Sequence, residues 1–213
     1  MTKTVLTLFV LALTAPTYAQ TSLKTFTSPD GLFRLHYRHL AQTCPDPQKN
    51  ADFPNSNDAE NSPPAAVACR NQGCDGPGSG GSVLACFSYP RERFRDKPSF
   101  GGASLYVTAI EARNQKACLS GSPNWFVISK KPRTTTIHHV TFKTFETGDN
   151  WAGAGESGPA YRTFHEGRCY EVGFQMILIR AYDPGTIEEF TRKDAAEVKS
   201  ELEQVLHSFV FLK

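Results

Sequence analysis

The chain has 213 residues, 39% hydrophobic and 21% charged, which suffices for one domain with its own hydrophobic core. Its 23 Lys and Arg nearly balance its 21 Asp and Glu. That balance excludes a disordered polyelectrolyte and the strongly basic surface of a nucleic-acid binder.

Met1–Ala19 has the order of a secretory leader. Lys3 is the n-region, Val5–Leu13 is apolar apart from Thr7, and Thr17 and Ala19 are small residues at the cleavage positions. The apolar run is too short to span a bilayer. Gln20 stands where a lipoprotein would carry cysteine. The expected product is a single exported domain over residues 20–213, periplasmic or extracellular, without a transmembrane segment.

All six cysteines follow the leader: Cys44, Cys69, Cys74, Cys86, Cys118 and Cys169. An even count in an exported chain predicts three disulfides. Cys118 and Cys169 flank strands that can be neighbours, so they are expected to pair. The remaining four are expected to join as Cys69–Cys74 and Cys44–Cys86. No CxxC or CxxCH is present, and no second close pair or nearby histidine completes a zinc set.

Ser28-Pro29-Asp30-Gly31 is a turn, and Leu32–Tyr37 alternates as a strand with Phe33, Leu35 and Tyr37 on one face. Residues 41–81 then turn rich in Pro, Gly and Cys. They hold too little apolar surface for a core, apart from a short helix predicted over Ala65–Arg70. Strands are predicted over Ser82–Tyr89, Ala103–Ala112 and Ile137–Phe145. A Gly-rich loop is predicted over Gly148–Pro159. A hairpin is predicted over Ala160–Ile179, turning at Glu166-Gly167. That register places Arg162 opposite Glu171 and Tyr161 opposite Val172. The face carrying Tyr161, Thr163, Tyr170, Val172, Phe174, Met176 and Leu178 is then the core face.

Ala195, Val198, Leu202, Val205 and Leu206 recur at helical spacing, with Thr191 as N-cap. Ser208–Leu212 is a last short strand. The order predicts an α+β domain: a mainly antiparallel sheet with a C-terminal amphipathic helix packed on it and a disulfide-tied loop excursion.

The opening Phe26-Thr27-Ser28-Pro29-Asp30-Gly31-Leu32-Phe33-Arg34-Leu35-His36-Tyr37 resembles the N-terminal strand pair of PsbP/Mog1-like domains. The helix followed by Ser208-Phe209-Val210-Phe211 is similar to their C-terminal end. The resemblance covers the two ends of the chain. It implies an αβα sandwich used as a binding or accessory module, with no shared active site.

No GxSxG, HExxH, EF-hand or phosphate-loop pattern is present. His138 and His139, neighbours on a predicted strand, would point to opposite faces and not chelate one ion. His165 with Glu166, Tyr170 and Glu171 has the residue types for acid–base chemistry. Against that, a cross-strand ion pair with Arg162 accounts for Glu171. Trp151 is the candidate binding residue, an aromatic in a predicted loop, where recognition usually sits. The alternative is that it folds back on the sheet edge. The expected function is a non-catalytic exported module with no metal or cofactor. Its partner would be a protein, peptide or glycan, met through the Gly148–Pro159 loop, the 41–81 excursion, or both. The alternative is a small hydrolase using His165 and nearby carboxylates.

Overall fold

A computed structural model describes residues 22–28, 30–40, 42–43, 81–120, 131–151, 153–179 and 189–212; of residues 42, 43, 81, 82 and 151 it describes the backbone. The leader and most of the 41–81 excursion, with Cys44, Cys69, Cys74 and its predicted helix, lie outside the described residues. So does the C-terminal Lys213.

The described elements run β1 (Lys24–Thr27), β2 (Phe33–Tyr37), β3 (Gln42–Thr43), β4 (Gly81–Ser88), β5 (Phe100–Ile110) and α1 (Gln115–Ser120). They continue with β6 (Arg133–Ile137), β7 (Val140–Trp151), β8 (Ala154–His165), β9 (Arg168–Ile179), α2 (Arg192–His207) and β10 (Val210–Phe211). The strands form a small sheet, β1-β2-β10, and a large one, β3-β4-β5-β9-β8-β7-β6. Every pairing in both sheets is antiparallel. The protein is therefore α+β, with α2 and the small sheet on one face of the large sheet and the short α1 against the other.

The entry turn is built by Ser28. Its hydroxyl donates to Asp30 Oδ1 at 2.6 Å and accepts from the backbone N–H groups of Leu32 and Phe33. Gly31 takes the left-handed backbone the turn needs, φ 68°. This sends Phe33 and Leu35 into the core, where they meet Phe87, Leu105, Val107, Val172 and Phe174 of the large sheet. Val198, Leu202, Val205 and Leu206 of α2 fill the same core at their i, i+4 spacing. Phe209 stacks on Phe33 with ring centroids 5.1 Å apart, so the C-terminal segment closes over the N-terminal hairpin.

Helix α2 starts in a capping box between Thr191 and Asp194. Three ion pairs tie it to the 91–97 segment. Arg93 bridges Glu197 and Glu201, and Lys97 Nζ lies 2.7 Å from Asp194. Beneath them Phe94, Phe100 and Phe190 pack edge-on and stacked, with centroids 4.8–5.0 Å apart.

Two predicted segments are corrected. The strand expected over Ile137–Phe145 is two strands, because His138 and His139 are the turn between β6 and β7. Their φ values are 44° and 69°, and Ile137 pairs with Val140. Two left-handed residues make the tight hairpin whose twist matches its strands, and histidine tolerates that region better than most residues. The loop expected over Gly148–Pro159 is instead the far end of a hairpin, with β7 running to Trp151 and β8 starting at Ala154. Two of its glycines serve close approach. A Cβ on Gly158 would come within 1.8 Å of the Phe174 carbonyl oxygen, and one on Gly155 within 2.5 Å of Asn150 Oδ1. Low strand propensity is overridden here by pairing on both sides of β8.

Candidate functional site

The β8–β9 hairpin has the sequence-derived register: Glu166 and Gly167 turn with φ 46° and 78°, Arg162 faces Glu171, and Tyr161 faces Val172. Three candidate regions lie along this hairpin: strand alternation sets the middle one on the opposite face from the other two, which distance along the strand separates.

At its turn, His165 stacks on Phe211 with centroids 3.9 Å apart and planes inclined by 14°. Tyr170 meets the same Phe211 ring edge-on. Glu171 does not join them. It stands on the opposite face of β9 from Tyr170, so the sheet lies between His165 and that carboxylate. His138 is also remote from any ligand set, and its Nε2–H donates to the His207 carbonyl at the end of α2. Among the described residues no group of three or more His, Cys, Asp or Glu is placed to hold a metal ion.

In the middle of the hairpin, Arg162 Nη2 lies 2.6 Å from Glu171 Oε2, and the side chains are 3% and 0% exposed. The expected cross-strand ion pair forms, and it is interior. Tyr106 Oη donates to Glu171 Oε1, and Arg162 also donates to the Cys118 carbonyl. Lys143 donates to the Leu119 carbonyl, so two cations hold the end of α1. Burial, then the Glu171 carboxylate, keeps the Tyr106 phenol well above its ordinary range. Cys118 and Cys169 are bridged beside this network, pinning α1 to β9. Cys86 is also disulfide-bonded. Both faces of the central strands are therefore covered, and polar groups dominate one of them. Sequence alternation did not expose this, because Arg and Glu on a strand read as solvent-facing.

At the far end of the hairpin lies an open groove of about 350 Å³, lined by Gly148, Asn150, Gly155, Ser157, Leu178 and Ile179. Ala154 and Glu156 border it as well. Asn150, Gly155 and Leu178 form one cross-strand row, with Ser157 two residues on from Gly155. An amide, a hydroxyl and an aliphatic side chain therefore share a face around a residue without a side chain. All three are exposed, Leu178 by 39% and Ile179 beside it by 37%. Trp151 ends β7 next to Asn150 and pairs with Ala154, whose other neighbour is Ile179. The residue singled out in the sequence thus sits at the groove end of the sheet. Leu178, expected on the core face, is instead exposed, because β9 runs past the core at this end. The sequence signal for Asn150 and Ser157 is the spacing of Gly148, Gly153, Gly155 and Gly158 in a strand-length segment. Glu156 faces Asp149 across the β7–β8 ladder. Burial, then the Asp149 charge, raises the Glu156 carboxyl above its ordinary range.

No family model matches the chain, and no curated protein is detectably similar to it. Among the described residues no helix is long and apolar enough to cross a membrane.

Proposed function

We propose that this chain is an exported, non-catalytic binding or accessory module of PsbP/Mog1-like type, which meets its ligand at the groove end of the β7–β8–β9 sheet beside Trp151. The observation that carries this is the groove itself. Exposed polar and apolar side chains gather there on paired strands, a rigid base for recognition. The interior disulfide between Cys118 and Cys169 supports an oxidising compartment, where such bridges persist. No observation favours the hydrolase alternative, since His165 and Glu171 occupy opposite faces.

A thermal-shift screen of the exported form against ions, sugars and peptides tests it. A ligand selective for the native state raises the melting temperature. The shift is expected to vanish in Trp151→Ala and to survive in His165→Ala. The opposite pattern would remove the groove from consideration.

A further inference from the structure

Resting on that assignment of the groove, we propose that its ligand is a small neutral saccharide. The ring's C–H face lies on Leu178, and its hydroxyls bond to the Asn150 amide and the Ser157 hydroxyl.

Four observations lead there. The volume, about 350 Å³, is at the low end of ligand sites, which span on the order of 300–1,000 Å³. It fits one or two sugar rings rather than a folded partner. No Lys or Arg is among the described lining residues. Strand β8 is paired to β7 on one side and β9 on the other through Ala154–Ser157. Its backbone is therefore used in the ladders, and a peptide cannot add to it as a further strand. What the groove presents is short side chains: an amide with donors and an acceptor, a hydroxyl that does both, and one aliphatic surface. That combination matches a polyhydroxylated ring, which is polar at its rim and apolar on its face.

Gly155 is the floor. Asn150 Oδ1 lies where a Cβ on Gly155 would come to 2.5 Å, so the amide rests on bare backbone. A side chain at Gly155 would move that amide and fill the space above it.

The test is isothermal titration of the exported form with maltose, cellobiose, lactose and N,N′-diacetylchitobiose, with trilysine and a heparin disaccharide as charged comparators. At least one neutral disaccharide is expected to bind saturably. Its affinity should fall by about tenfold or more in Asn150→Ala and Gly155→Val, with Ser157→Ala as a milder third variant. The melting temperature of Asn150→Ala should stay at the native value, which separates a lost contact from a lost fold. Binding by none of the four neutral disaccharides overturns the proposal. So does binding that all three variants leave unchanged. If trilysine or the heparin disaccharide alone binds, and the same variants abolish it, the saccharide assignment fails while the groove stands as the binding site. If every ligand that binds is indifferent to the variants, the groove fails too.

Discussion

Arg162 and Glu171 face each other across the β8–β9 ladder, joined at 2.6 Å and withdrawn from solvent. Both charges have left water, so their attraction first offsets a desolvation cost. Removing one partner leaves the other charged and buried. Glu171→Ala is expected to destabilise by about 3–5 kcal/mol, read from the denaturant midpoint. Replacing both partners, as Arg162→Met with Glu171→Leu, is expected to cost less than the single change. A single variant as stable as the native protein would show that the pair is hydrated after all.

The Cys118–Cys169 bridge closes a segment with sequence separation 51. A loop of this size contributes about 2–4 kcal/mol, through restriction of the unfolded chain. The Cys118→Ala, Cys169→Ala double variant is expected to lose that much in urea unfolding. Hydrogen exchange should rise first in α1, which the bridge and the Arg162 and Lys143 donors hold to the sheet.

Asp194 provides a pH-dependent contribution. Hydrogen bonds from Lys97, then from the Thr191 hydroxyl and N–H, hold its carboxyl down to about 2. An unfolded aspartate titrates near about 3.9. The contribution is therefore complete above that value and is lost as pH falls through about 2. Asp194→Asn is expected to melt below the native protein at pH 6 and to converge with it as pH approaches 2. A gap that stays constant over this range would contradict the assignment.

Glu156 has the opposite sign. Its raised folded value means that the protonated form is favoured in the fold. The stability this gives is present at low pH and lost as pH rises through the folded value. Like charges directly opposite on a sheet cost about 0.2–1 kcal/mol. Glu156→Gln is expected to raise stability by that order at pH 7 and to leave it unchanged at low pH, where both carboxyls are protonated.

Much of this fold was legible because its signals are local and periodic. The Ser28–Gly31 turn, the alternation of Phe33, Leu35 and Tyr37, the helical stripe ending at Leu206 and the Glu166-Gly167 turn each follow from neighbours in sequence. Two kinds of feature did not. His138-His139 carries no turn residue in the usual sense, and only its two left-handed conformations reveal the hairpin. The glycines from Gly148 to Gly158 suggest looseness, yet Gly155 and Gly158 stand where Asn150 and the Phe174 carbonyl come close, and the approach of Phe174 is set by long-range strand pairing. The groove was half legible for the same reason. Trp151 points to that end of the sheet, while the alternation that puts Leu178 on the core face does not show that the core stops short of it.

The central claim is that recognition occurs at the groove end of the hairpin and not at the His165 end, which lies ten residues along β8 from Gly155, roughly 30 Å at the rise of a strand. Backbone amide chemical-shift mapping with the tightest ligand of the thermal-shift screen tests it most directly. Shifts concentrated at Gly148–Asn150, Ala154–Ser157 and Leu178–Ile179 are predicted. Shifts centred on His165, Glu166 and Phe211, with the groove residues unmoved, would contradict it.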